Sequence, residues 1–167
     1  MVGETACAAC RCLLAHLHLD HVMGIPDIPA GTPIYVGPGE PSASSFLNLF
    51  SRGTIDRLLE SADALRVWPF EEDHDQRFES VVDIFGDGSV WAIQVPGHSP
   101  GSTAFVVRTP TGPKLLVGDA SDTKWGWEHG VEPGTFSLDG PRSVASLAGL
   151  RELAREFPQL EVHLGHQ

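Results

Sequence analysis

The sequence predicts one mixed α/β (α+β) domain over residues 1–167, on three observations. Eighteen Gly and thirteen Pro punctuate the chain too often for a helical bundle and suit short strands joined by turns. A hydrophobic content of 41% against 20% charged residues suits a soluble globular protein, long enough at 167 residues to bury a substantial core. Finally, His and Asp residues stand repeatedly where the expected strands stop.

Each element has its own local reason. Residues 12–15 are an apolar run that reads as a short buried strand. Strand side chains repeat their direction every second residue, so His16 and His18 leave its end on the same side. Asp20 and His21 follow where Gly24 and Pro26 interrupt the extended run and let the backbone turn back. Residues 25–31 read as a loop, and 33–36 as a short strand closed by Gly37, Pro38 and Gly39. Residues 41–62 carry two expected helices broken near Gly53, with Phe46, Leu47 and Phe50 on one face of the first and Ile55, Leu58 and Leu59 on the second. Residues 64–68 read as extended and 71–76 as a polar loop that leaves His74 in solvent.

From Ser80 the pattern turns strongly β. Residues 81–85 and 90–95 flank a Gly-Asp-Gly turn and read as a hairpin, and 103–108 with 114–117 read as a second pair. Asp139 is the expected N-cap of a helix over residues 141–157, with Val144, Leu147, Leu150, Leu153 and Ala154 on its apolar stripe. Residues 160–164 form the last expected strand.

Composition excludes several classes. Twenty-two acidic against eleven basic residues give a net charge of −11, which repels nucleic-acid phosphate. No stretch approaches the roughly 20 apolar residues of a membrane span. The N-terminus lacks the basic-then-apolar order of a secretory signal. Cys7, Cys10 and Cys12 form an odd, local cluster, which points to a reducing, cytoplasmic compartment and to ordinary thiols with Cys12 buried. A separate zinc or redox site is the alternative reading of that cluster.

The densest chemistry is His16, His18, Asp20 and His21, four metal-type ligands inside six residues. That spacing can offer two imidazoles to one cation, and a carboxylate with a third imidazole to a second. Imidazole nitrogen and carboxylate oxygen suit zinc, and also iron or manganese. His98, Asp119 and His166 each follow an expected strand end. His163 competes with His166; strand-end placement directly after Gly165 favours His166.

The motifs H-L-H-L-D-H at 16–21, P-G-H-S-P-G-S at 96–102, G-D-A at 118–120 and G-H at 165–166 resemble those of the metallo-β-lactamase-fold hydrolases. The pattern is nearest to N-acyl homoserine lactonase-like members. The resemblance implies an αββα sandwich with two divalent metal ions, zinc before iron or manganese. One would be held by His16, His18 and His98, the other by Asp20, His21 and His166, with Asp119 bridging them. It implies cleavage of an ester, lactone or thioester by a hydroxide between the metals, with Asp20 and Asp119 as proton carriers. Trp125 and Trp127 are candidate walls of the pocket for a small-molecule substrate. The lactonases carry Tyr three residues after the bridging Asp, whereas this chain has Asp122. Family members also place several strands before the first ligand motif, so an N-terminally truncated sandwich is expected, with an open sheet edge that can pair with a second copy. Two alternatives accompany this reading: a mononuclear iron oxidoreductase of the persulfide dioxygenase kind, and a metal-binding fragment without turnover.

Overall fold

The computed structural model describes residues 10–43, 51–60 and 65–166. The first sheet begins with β1, Cys12–Leu13. A single helical turn, α1, Leu19–Val22, comes next, followed by β2, Ile34–Val36, which runs parallel to β1 with Cys12 opposite Ile34. Helix α2, Arg52–Glu60, then leads to β3, Arg66–Val67, which is parallel to β2. The second sheet starts with β4, Glu71–Glu72, and β5, Ser80–Asp83. It continues through β6, Val90–Gln94, β7, Thr103–Thr109, and β8, Gly112–Leu116. Helices α3, Lys124–His129, and α4, Gly140–Glu156, precede β9, Glu161–His163. Strands β4 to β9 are neighbours in sequence order, antiparallel except for the parallel pair β8–β9.

Period-two alternation decides how the layers stack. Leu13, Ala15, Tyr35 and Trp68, which follows β3, face the second sheet, where they meet Ile84, Ala92 and Phe105. The residues between them, Leu14, Ile34 and Val36, point the other way and pack with Val22, Ile25 and Ile55. In the second sheet Ile93, Ala104, Leu115 and Val117 turn their backs on the first and cover Leu150 of α4. Two sheets face to face with helices outside each give the expected αββα order. Leu115 and Leu150 are fully buried, which stabilises the fold by about 1.5–3 kcal/mol per side chain.

Several elements differ from the sequence reading. The polar stretch 71–76 is not wholly loop, because Glu71 and Glu72 pair with Val81 and Ser80 as an edge strand. Both residues are exposed, so the pairing rests on backbone bonds that leave no hydrophobic pattern. Residues 25–31 open with a 3-10 turn, Ile25–Asp27. Val144 is half-exposed and not part of the buried stripe: α4 meets the turn at Pro96 through buried Ser143 and through Ser146, whose hydroxyl donates to the Pro96 carbonyl at 2.7 Å. Cys12 is only half-buried, at the margin of the first outer cluster. Cys7 and the helix expected around Phe46, Leu47 and Phe50 lie outside the described residues. Asp139 caps α4, accepting the Arg142 amide at 3.1 Å. No helix among the described residues is long and apolar enough to cross a membrane.

Candidate metal centre

Four loops at one end of the two sheets converge. The first leaves β1, held extended by bonds from the Leu14 amide to the Tyr35 carbonyl (3.0 Å) and from the Thr103 amide to the Ala15 carbonyl (2.9 Å). His16 thereby enters the interior and His18, still extended, starts α1. The backbone then turns by a helical turn, where the sequence suggested an extended run ending near Gly24, and this turn carries Asp20 and His21 round to the same space. His98 sits on the turn between β6 and β7. Asp119 lies in a 3-10 turn, Gly118–Ala120, directly after β8. His166 follows β9, with its amide donating to the Asp122 carbonyl at 3.1 Å. The close approach at this last loop requires Gly165, since an added Cβ would stand 2.4 Å from Asp119 Oδ1.

These side chains form two donor groups that share Asp119. His16, His18, His98 and Asp119 make one, and Asp20, His21, Asp119 and His166 the other; within each, one ligand atom per residue lies within 4.8 Å of the rest. In the first, His18 Nδ1 is 2.9 Å from His98 Nε2, and Asp119 Oδ2 is 3.5 Å from His98 Nε2 and 3.7 Å from His16 Nε2. In the second, His166 Nε2 is 3.3 Å from Asp20 Oδ2 and 3.4 Å from Asp119 Oδ2, while His21 Nε2 is 3.3 Å from Asp119 Oδ1. Tetrahedral ligands at the usual zinc distance stand roughly 3.3 Å apart, so both groups fit a cation of that size. Both ring nitrogens of His16 and Nδ1 of His98 are buried with no hydrogen-bond partner among the described residues. Orphaned buried nitrogens of this kind are costly unless something else takes their lone pairs.

Electrostatics prepare the groups to bind a cation. Burial, reinforced by the neighbouring imidazoles, holds His16 well below the usual histidine range. Burial and the His18 ring push His98 down to about 4, and burial also lowers His18. All three therefore present neutral imidazole near pH 7. His21 moves up: burial opposes its protonation, but the Asp119 hydrogen bond and the charges of Asp119 and Asp20 outweigh it. Burial works against the Asp119 carboxylate too, yet His21 and the surrounding rings hold it well below the ordinary range.

The remaining candidates are placed as follows. His163 lies on β9 outside both groups, its Nε2 2.9 Å from Glu161. Trp125 and Trp127 lie on α3; Thr123 starts that helix by accepting the Gly126 amide at 3.1 Å. With Val162, Leu164 and His166 they border a groove of about 690 Å³. Trp125 is exposed and stacks on His129, ring centroids 4.6 Å apart. Trp127 leans on the core beneath α4. Asp122 has Oδ1 buried without a hydrogen-bond partner among the described residues, and burial with the nearby Asp119 charge raises it. Sequence reasoning missed Glu40, a buried acid bonded to the loops that carry His16, His18 and His98. An acid in a Gly-Pro turn reads as solvent-facing, and no local signal says otherwise.

The chain belongs to the metallo-beta-lactamase superfamily, whose sequence model matches residues 13–166. It is 37% identical over 142 residues to the N-acyl homoserine lactonase AttM of Azorhizobium caulinodans, covering 83% of this chain and 52% of that protein. The AttM of Agrobacterium fabrum is 35% identical over 136 residues, covering 80% of this chain and 50% of the relative. The chain thus spans about half the length of the curated relatives it matches. Among solved structures, an N-acyl homoserine lactone hydrolase with N-hexanoyl-L-homoserine at its catalytic metal centre superposes with a TM-score of 0.68 at 23% identity, over 93% of this chain and 55% of that one. The dizinc quorum-quenching lactonase AidC superposes with a TM-score of 0.63 at 13% identity, over 90% of this chain and 55% of that one. These structures share the fold.

Proposed function

We propose that this chain carries the metal centre of a hydrolase that opens the lactone ring of N-acyl homoserine lactones, with two zinc ions as cofactors. The observation that carries the reading is the pair of four-donor groups joined through Asp119. The relatives named as lactonases supply the substrate class. Divalent ions held there would supply Lewis acidity and lower the pKa of a water towards about 7.

The residues divide the remaining work. His16, His18 and His98, kept neutral by burial, offer lone pairs without first losing a proton. Asp119 stays ionised and spans both groups with its two oxygens. Asp20 is half-exposed at the rim, within reach of His166, and is placed to pass a proton between the reacting centre and solvent. The groove beside Trp125, Trp127, Val162 and Leu164 gives an acyl chain an apolar wall.

Zinc-loaded protein incubated with N-acyl homoserine lactones, simple esters and thioesters tests this reading. Lactone opening should exceed the other two, and Asp119→Ala should reduce it by about 100-fold or more, since one substitution removes a donor from both groups. Folded, metal-loaded protein inert towards all three classes would contradict the proposal.

A further inference from the structure

The turn that closes β2 carries a buried acid that belongs to neither donor group. Glu40 is 3% exposed, although acidic side chains are seldom buried without partners. Its Oε2 accepts the Leu17 amide at 3.0 Å, between His16 and His18. Its Oε1 accepts the Gly101 amide at 2.9 Å and also the Ser99 hydroxyl, next to His98. One carboxylate therefore ties together the two stretches that supply three of the four donors of the first group. Two glycines permit the approach. An added Cβ on Gly37 would stand 1.8 Å from the Gly101 carbonyl oxygen, and one on Gly101 would stand 2.7 Å from Glu40 Cγ.

We propose that Glu40 is a positioning residue that holds His18 and His98 in register, 2.9 Å apart, for the cation of the first group. This rests on the reading that the group binds a metal. Two backbone amides and a hydroxyl donate to its two oxygens, so the position calls for an acceptor at each oxygen. Glutamine has one acceptor oxygen, and its NH₂ would face an amide N–H. Groups that orient metal ligands typically carry about 10–100-fold in affinity.

The test compares the parent with Glu40→Gln and Ser99→Ala. Zinc affinity is read by competition with a chromophoric chelator, ligand symmetry by the visible spectrum of the cobalt form, and the clamp itself by amide exchange at Leu17 and Gly101 in metal-free protein. Glu40→Gln should bind zinc about 10–100-fold more weakly, alter the cobalt spectrum and speed exchange at both amides. Ser99→Ala, which leaves the two amide contacts, should weaken binding by several-fold and decides the matter if Glu40→Gln does not fold. Parental affinity and spectrum in a folded Glu40→Gln, or parental affinity in Ser99→Ala when that variant alone folds, overturns the assignment. A parent that binds no zinc contradicts the metal reading itself. In that event exchange alone judges the clamp: faster exchange at both amides supports it, and unchanged exchange overturns it.

Discussion

His163 and His166 are separated by two residues, yet they occupy different chemical worlds. His163 is on a strand and faces Glu161, while His166 has passed Gly165 and swung to within 3.4 Å of Asp119. The glycine explains the difference, because no side chain fits between the last loop and the Asp119 carboxylate. We expect His163→Ala to bind the same amount of metal as the parent. Loss of metal from that variant, with the fold intact, would show that the strand residue is a ligand. Burial opposes the ionisation of Asp119, but the hydrogen bond from His21 keeps its pKa depressed, and the Asp119 charge in turn raises His21.

Elements were legible from sequence where burial patterned them. The 81–85 and 90–95 runs became β5 and β6 because both faces of that sheet are covered, one by the other sheet and one by α4. The long C-terminal helix was readable from its cap and stripe, though Val144 misled because Ser143 takes the buried position. Strand β4 and helix α3 were not readable. The first pairs through its backbone with exposed side chains, and the second is one short amphipathic turn in a Gly- and Trp-rich stretch. Behind β4, Asp73 organises the connection by accepting the amides of Asp75, Arg77 and Phe78 at 3.0–3.1 Å. Burial opposes its ionisation slightly, but these amides and Arg77 pull its pKa below the usual 3.8. A depressed carboxyl contributes stability that is present above its unfolded pKa and lost as pH falls through the folded one. Asp73→Ala should therefore cost about 1 kcal/mol at pH 7 in urea unfolding, with the deficit shrinking as pH drops below about 4. A deficit independent of pH would mean that the carboxylate's charge does not stabilise the turn.

At the scale of the whole molecule, the candidate metal centre lies where two sheets end. The donor groups draw on loops following β1, β6, β8 and β9, so the centre exists only once both sheets have paired. Every residue that converges in these two groups could be singled out in the sequence, because His and Asp at expected strand ends form a conspicuous pattern. The sequence did not reveal Glu40, whose role depends on a tertiary approach of two turns. An overall charge of −11 leaves Asp119 beside neutral rings as a place where added positive charge is welcome.

The most direct measurement of the central claim is metal content per chain for purified, zinc-reconstituted protein beside His98→Ala and His166→Ala. Two donor groups predict about two zinc ions in the parent and about one in each variant, since each substitution removes a ligand from one group only. A single ion in the parent, lost on either substitution, would contradict two sites, and folded parent protein without bound metal would contradict the metal centre altogether.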